Sequence, residues 1–138
     1  MRYLGVDPGG QRMGLAVADG ATGVASPLAV VTYQGVAEAA RAIAAAAIEN
    51  RAALVVVGLP SFADGSESPA ARRSRRLAEA LGDLGLEVAL QSEYLSTVEA
   101  RARAREAGRR PGLPVDDLAA QVILEEFLER LAAAGREA

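Results

Sequence analysis

Residues 4–19 read LGVDPGGQRMGLAVAD, and this stretch decides the fold. Two short apolar runs, residues 3–6 and 13–18, flank a turn that contains one proline and two glycines. Runs of this kind predict two antiparallel strands joined by the turn. Asp7 stands at the end of the first strand, where a glycine-rich turn would let a phosphate approach the backbone closely. It is either a metal-binding carboxylate or an aspartate that simply opens the turn.

The remainder of the chain alternates strands and helices. The pattern predicts strands at residues 27–32, 54–57 and 87–91, and helices at residues 36–50, 70–84, 97–106 and 115–131. The apolar run at residues 54–57 is unbroken, which is typical of a central strand covered on both faces. The order is therefore β-β-β-α-β-α-β-α-α, without a linker or an internal repeat. We expect one mixed α/β domain that spans residues 1–138.

The composition excludes several kinds of active site. The 138 residues include no histidine and no cysteine, and all 15 basic residues are arginine. A Ser-His-Asp triad, a cysteine nucleophile, a zinc site with imidazole or thiolate ligands and a catalytic lysine are therefore excluded in this chain. Carboxylates must carry the chemistry of any enzyme built on it. As hard oxygen ligands, they favour Mg²⁺ or Mn²⁺ over softer metals.

Charge and hydropathy give expectations about location and partners. The formal net charge is -3, so the chain as a whole does not attract nucleic acid, and binding would depend on local arginine patches. The first residues lack the apolar segment of a signal peptide, and no stretch approaches the roughly 20 apolar residues of a membrane span. We therefore expect a cytoplasmic protein with no membrane partner.

Two further acidic positions lie where sites are often built. Glu93 follows the strand at residues 87–91, at the edge of an open α/β sheet where ligands usually bind, although a solvated loop glutamate would look the same. Asp116 and Asp117 open the last helix, where the helix dipole alone would favour them. Ala119 and Ala120 follow, and their small side chains would let this helix approach the sheet and bring Asp116 toward Asp7.

Several linked motifs now identify a family. They are residues 4–19, VVGLP at 56–60 with DGSE at 64–67, LSTVEA at 95–100, and VD at 115–116 with AA at 119–120 and IL at 123–124. In this order, and over essentially the whole chain, they closely resemble the YqgF family of ribonuclease H-like proteins, which are described as candidate Holliday junction resolvases and pre-16S rRNA nucleases. The resemblance implies an α/β, ribonuclease H-like fold with a mixed five-stranded sheet flanked by helices.

The resemblance also implies a catalytic metal site. Carried over position by position, its acidic residues are Asp7, Glu93 and Asp116, which would hold Mg²⁺ or Mn²⁺. The chain departs from the family at one motif: where the family typically has Asp-Glu-Arg, it has Ser92, Glu93 and Tyr94. The central glutamate is kept, while a flanking carboxylate and a cation that could orient a substrate phosphate are missing.

The activity implied is metal-dependent hydrolysis of phosphodiester bonds, with two ions about 4 Å apart. The expected substrate is structured RNA, at the 5′ end of pre-16S rRNA. Resolution of branched DNA at Holliday junctions is the alternative, and it would need two active sites and hence a homodimer. A protein that grips nucleic acid without cutting it is a further alternative. A small kinase or ATPase is disfavoured, because such proteins need two phosphate-binding lobes.

Arginines and one tyrosine are the candidates for contact with nucleic acid. Arginine patches suit phosphate contacts, and an aromatic ring beside the site could stack on a base. The alternative is an ordinary solvated surface, since arginine must serve everywhere in a chain without lysine. The candidates are Arg12, Arg72, Arg75, Arg76, Tyr94, Arg109 and Arg110.

Overall fold

The computed structural model describes residues 1–62, 64, 66–93, 96–110 and 114–135, with the backbone alone described for residues 96–98. These residues form five strands and four helices in the predicted order. The elements are β1 (Arg2–Pro8), β2 (Arg12–Asp19), β3 (Val24–Thr32), α1 (Gly35–Glu49), β4 (Leu54–Pro60), α2 (Ala71–Asp83), β5 (Val88–Glu93), α3 (Ser96–Glu106) and α4 (Asp116–Ala133). None of these helices is both long enough and apolar enough to cross a membrane.

The strands form one mixed sheet in the order β3-β2-β1-β4-β5. β1, β2 and β3 are joined by short turns and pair antiparallel, whereas β4 and β5 each follow a helix and pair parallel to β1 and β4. A parallel neighbour needs such a crossover helix, because the chain must return to the starting edge of the sheet. The carboxyl ends of β1, β4 and β5 therefore meet at one edge.

Alternate residues of a strand point to opposite faces of the sheet, so this sheet carries two apolar layers. One face packs against α1 and α2, in a core that includes Leu4, Val6 and Ile43. The other face packs against α4, where the Tyr3 and Phe127 rings meet edge to face at 6.0 Å between centroids. Phe127 is a core residue, and α3 packs against α4 through small alanines.

The strand boundaries differ from the predictions in ways that matter for the site. β5 extends to Glu93, because Pro60 and Glu93 are paired in register at the ends of β4 and β5. Glu93 is thus held by a strand rather than by a loop. β3 begins at Val24 and runs through Pro27, since this strand lies at the edge of the sheet and carries an irregularity there. An edge strand tolerates a proline, which lacks a donor N–H.

Glycines let α4 lie unusually close to the sheet. A Cβ atom added to Gly5 would lie 3.0 Å from the carbonyl oxygen of Ala120, and one added to Gly14 would lie 1.8 Å from the carbonyl oxygen of Asp116. Neither glycine has a positive φ, so space rather than backbone conformation requires them. The predicted close approach of α4 is confirmed, but it depends on glycines of the strands as much as on alanines of the helix.

Gly14→Ala should therefore destabilise the fold and displace the start of α4. The added methyl group would overlap backbone atoms, which cannot move aside as a flexible side chain can. Overpacking of this kind costs roughly 1–3 kcal/mol, and a backbone overlap should lie at or above the upper end. Urea unfolding of the variant measures the loss.

Gly82→Ala is the matched control. Gly82 lies in α2, and nothing lies within 4 Å of a Cβ atom added there. Alanine should stabilise this helical position by about 0.5–1 kcal/mol. Equal unfolding midpoints for the two variants would contradict the close packing of α4 against β2.

Candidate active site

Asp7 lies at the carboxyl end of β1, on the sheet face that α4 covers. On one side it is paired in register with Gly14 of β2. On the other side β4 runs parallel, with Val57 opposite Val6, so that Gly58 comes next along the same edge. Asp7 therefore stands between two strand positions that carry no side chain. The space above them is free for groups that arrive from β5 and from α4.

Glu93 fills the space above Gly58. A Cβ atom on Gly58 would lie 2.6 Å from Oε2 of Glu93 and 2.7 Å from Cδ1 of Ile123. The Glu93 side chain thus reaches from the edge strand back across β4, where it lies within hydrogen-bonding distance of the Asp7 carboxyl. The residue that needs this space lies 35 positions after Gly58 in the chain, so no local pattern links the two.

Burial is the main cause that favours the protonated forms of this pair. Burial raises the pKa of Asp7 to about 6, with a further rise from the charge of Asp116 and an opposing hydrogen bond from Glu93. The pKa of Glu93 is raised to about 9, mainly by burial. The charge of Asp7 and the hydrogen bond to Asp7 add to this rise. Protonated Glu93 therefore donates a hydrogen bond to the Asp7 carboxylate. Two carboxyls this close cannot both be ionised without a cation.

Asp116 is close enough to influence Asp7, but its carboxylate is already engaged. Arg12 Nε donates to Asp116 Oδ2 at 2.7 Å, which links the turn between β1 and β2 to the start of α4. Asp117, the next residue, faces elsewhere and accepts two hydrogen bonds of 2.9 Å from Arg109. The structure thus separates the two aspartates, and Asp116 is the one directed to the site.

Among the described residues, two carboxyls meet at the site, and they do not form a complete set of three metal ligands with Asp116. Within the described ranges, no group of three or more His, Cys, Asp and Glu side chains is arranged to hold a metal ion. Asp7 and Glu93 are brought together, and Asp116 is held beside them by Arg12. The donors fit a divalent ion well, because carboxylate oxygens suit Mg²⁺ or Mn²⁺ and the pair has no ion-pair partner in the part of the chain that the structure describes.

The structure divides the predicted nucleic-acid contacts into two kinds. Arg75 forms an ion pair with Glu67, and Arg109 forms an ion pair with Asp117. Among the described residues, ion-pair partners are absent for three exposed arginines, which are Arg72, Arg76 and Arg110. Tyr94 lies outside the described residues. A groove between α2 and the loop before it has a volume of about 370 Å³ and is lined by Arg72, Arg75 and Arg76.

Sequence reasoning missed the residues that shape the site without bearing charge. Gly14 and Gly58 make room for Asp116 and Glu93, and a glycine within a strand was the one available signal for such a close approach. It also missed Glu126 of α4, whose charge adds to the rise in the pKa of Glu93. Nothing in the sequence linked Glu126 to a residue on β5.

The metal-free protein should lose stability as the pH rises from 5 to 9. Because the folded-state pKa values of Asp7 and Glu93 lie above their unfolded values, the folded chain binds these protons more tightly. The resulting stabilisation is complete below about pH 4 and is lost as the pH passes the two folded-state values. Asp7→Asn should flatten this dependence and raise the unfolding free energy at pH 8 by roughly 1–3 kcal/mol. Urea unfolding in EDTA at several pH values measures both effects.

The control for this experiment is Asp83→Asn, which removes an exposed carboxylate at the end of α2. It should leave the pH dependence of the wild type in place. The chain has no histidine, the residue that most often causes pH dependence in this range. A metal-free Asp7→Asn variant that is clearly less stable than the wild type at pH 8 would contradict the clustering of the carboxyls.

Solved structures with a similar fold include nucleases and resolvases. RuvC of T. thermophilus in complex with a Holliday junction substrate superimposes with a TM-score of 0.60, at 20% identity over 98% of this chain and 97% of that one. The large terminase nuclease of the thermophilic phage G20c with bound cobalt has a TM-score of 0.56, at 17% identity over 92% and 80% of the two chains. The expected ribonuclease H-like fold is thereby confirmed.

Sequence comparison identifies the family. A protein of Anaeromyxobacter sp. strain Fw109-5, named as a candidate pre-16S rRNA nuclease, is 44% identical over 133 residues, which cover 94% of this chain and 97% of the relative. The family model of RuvX, described as Holliday junction resolvase, matches residues 1–130. RuvX is the YqgF family that the motifs resemble. The chain belongs to the RuvX family and is a nuclease, an enzyme that hydrolyses phosphodiester bonds.

Proposed function

We propose that this nuclease depends on a divalent metal ion and matures the 5′ end of pre-16S rRNA. The observation that carries the metal requirement is the pair of Asp7 and Glu93, two adjoining carboxyls without a cation partner among the described residues. A bound ion would take the place of the shared proton and balance both charges. The names of the relatives support the RNA substrate.

Asp7, Glu93 and Asp116 are the residues that would hold the ion and act as the catalytic site. Once bound, Mg²⁺ or Mn²⁺ supplies Lewis acidity that activates water and stabilises charge on the scissile phosphate. Asp7 is fixed by β1 and Glu93 by the end of β5, so these two ligands need little reorganisation. Asp116 becomes available as a metal ligand when the Arg12 guanidinium leaves the Asp116 carboxylate and binds a substrate phosphate. The guanidinium then makes a charge-assisted hydrogen bond to the phosphate in place of the one that it loses.

The grip on nucleic acid is proposed to be electrostatic and independent of sequence. Arg12 lies beside the catalytic carboxyls, and Arg72, Arg76 and Arg110 are exposed on the surface. Contacts of these side chains with phosphates would position the RNA without reading its bases. Neither this grip nor cleavage of a single RNA strand needs a second subunit. Precursor rRNA is made in the cytoplasm, so we propose this compartment as the place of action.

Resolution of Holliday junctions is the second candidate function, and the description of the RuvX family favours it. It would require a homodimer, because two strands must be cut at one junction. A protein that binds nucleic acid but cuts it weakly is a third outcome, since Ser92 and Tyr94 replace residues typical of the family. Ser92 Oγ donates to Ser61 Oγ at 2.7 Å, so this position now joins β5 to the loop after β4.

A cleavage assay distinguishes these functions. Wild-type protein with Mn²⁺ should cut a pre-16S rRNA fragment that carries the 5′ leader, and Asp7→Asn should lower the rate by at least 100-fold because an essential metal ligand is lost. A four-way DNA junction, tested in parallel, should remain intact. Gel separation of end-labelled products measures both reactions.

Asp83→Asn serves as the control in this assay and should cut RNA like the wild type, since Asp83 is exposed at the far end of α2. Cutting of the junction alone would replace the RNA proposal with the resolvase. Binding of both substrates without cleavage would favour the binding protein. Equal rates for wild type and Asp7→Asn would remove Asp7 from the catalytic site.

A second test concerns the competition between Arg12 and the metal ion for Asp116. Arg12→Gln should lower the Mn²⁺ concentration at half-maximal thermal shift by about 1.4- to fivefold, because a partly exposed ion pair is worth about 0.2–1 kcal/mol. The same variant should bind RNA more weakly than the wild type. Arg51→Gln, an exposed change just before β4, should alter neither quantity. An unchanged Mn²⁺ midpoint in Arg12→Gln would argue against Asp116 as a ligand.

A further inference from the structure

Arg73 is an arginine that none of the preceding roles uses, and it points to the turn beside the catalytic pair. It lies in the first turn of α2, on an exposed part of the surface. Its Nη2 atom is 3.8 Å from the place where a Cβ atom of Gly10 would stand. α2 begins on the face of the sheet opposite α4, so Arg73 reaches the β1–β2 turn from the side away from Asp116.

The charge of Arg73 is not balanced by a carboxylate in the described part of the chain. Two neighbouring cations differ in this respect, because Arg12 is paired with Asp116 and Arg75 with Glu67, whereas Arg72 and Arg76 resemble Arg73. Arg73 instead adjoins Tyr33, whose pKa burial raises and the positive charge of Arg73 lowers. A guanidinium in this setting offers its planar set of donors to a ligand from solution.

The turn that Arg73 faces contains two adjacent glycines and is held by hydrogen bonds from Tyr33. A Cβ atom on Gly9 would lie 2.4 Å from the carbonyl oxygen of Arg12, so the turn closes only with glycine there. The Tyr33 hydroxyl donates to the Gly9 carbonyl oxygen, and the Tyr33 N–H donates to the Gln11 carbonyl oxygen at 3.1 Å. These two bonds fix both sides of the turn.

The distance to the catalytic pair suits the nucleic-acid backbone. Gly10 is three residues from Asp7, so their Cα atoms are at most about 11 Å apart. A strand whose scissile phosphate lies at Asp7 and Glu93 would carry its adjoining phosphates over this turn. The missing side chains at Gly9 and Gly10 would allow a phosphate to come within reach of the guanidinium.

We propose that Arg73 and the Gly9–Gly10 turn form a phosphate-binding subsite for a nucleic-acid phosphodiester adjacent to the scissile one. The subsite rests on the proposed nuclease function, because it takes the same strand that the catalytic carboxyls act on. Arg73 binds and orients this phosphate and takes no part in the chemical step. The fork of the guanidinium allows two parallel hydrogen bonds to phosphate oxygens, which a lysine would not provide.

Binding measured without catalysis tests the subsite. Fluorescence anisotropy in EDTA records the affinity of each protein for a labelled pre-16S rRNA leader fragment at several salt concentrations. Arg73→Gln should weaken binding about three- to tenfold at 0.1 M salt. It should also reduce the slope of log K against log salt by about 0.7–0.9, the value for one lost phosphate contact. Arg73→Lys should keep most of the slope while it weakens binding.

Matched variants separate charge from geometry. Arg51→Gln removes the same charge at an exposed position just before β4, at the opposite end of that strand from the site, and should leave affinity and slope unchanged. Gly10→Ala meets Arg73 only at ordinary contact distance, so it should fold normally and still weaken binding by narrowing the approach. Thermal unfolding of each variant verifies the fold.

The failure of the subsite differs from the failure of the proposed function. Wild type that binds and cuts RNA, with Arg73→Gln equal to Arg51→Gln in affinity and slope, overturns the subsite alone. Wild type that neither binds nor cuts RNA overturns the proposed function together with the subsite. Loss of binding in Arg73→Gln, at full thermal stability and with Arg51→Gln unaffected, supports the subsite.

Discussion

The close approach of α4 to the sheet is the constraint on which the rest of the structure depends. The helix can lie this near because glycines stand where strand side chains would otherwise hold it away, and the overlap that a Cβ atom would cause at Gly14 is with backbone rather than with a mobile side chain. The same contact sets the position of Asp116 at the start of the helix. A second glycine, Gly58, lets Glu93 reach inward across β4. The packing of α4 and the candidate site therefore share one geometric requirement, which is a sheet face without side chains beside Asp7.

In the absence of a cation, the ionised carboxyls of the site on this face destabilise the folded chain. Burial raises the pKa of both Asp7 and Glu93, and the charge of Asp7 raises the pKa of Glu93 further. Raised pKa values in a pair of this kind are typical of functional sites, and they favour the candidate site proposed above. Arg12 contributes positive charge instead. Its ion pair with Asp116 holds this charge at the edge of the site. The arrangement is poised for ligands that bring positive charge to the carboxyls and negative charge to the arginine.

Arginine serves two purposes in this chain, and location decides which. Arg103 of α3 donates a hydrogen bond of 2.6 Å to Glu125 of α4. Arg109 forms a bidentate ion pair with the buried Asp117. These contacts hold α3 and the segment after it against α4. Arg73 has no such partner among the described residues and faces the turn beside the site instead. A chain without lysine must use one residue type for both tasks, so arginine spacing alone does not show which task a given arginine serves.

The sequence by itself determined the order of strands and helices, the exclusion of histidine and cysteine chemistry, and the acidic positions worth considering. These properties are local or compositional, and they can be read from apolar runs, turn residues and counts. The family resemblance also implied that Asp7, Glu93 and Asp116 share one site. Only the tertiary structure decided that Glu93 reaches Asp7 over Gly58, that Asp117 accepts from Arg109, and that Arg12 binds Asp116. Arg12 and Asp116 are separated by 104 positions, so no local pattern links them. Their contact follows from the crossing of α4 over the sheet, a distance set by glycines whose effect appears only when the two elements pack together.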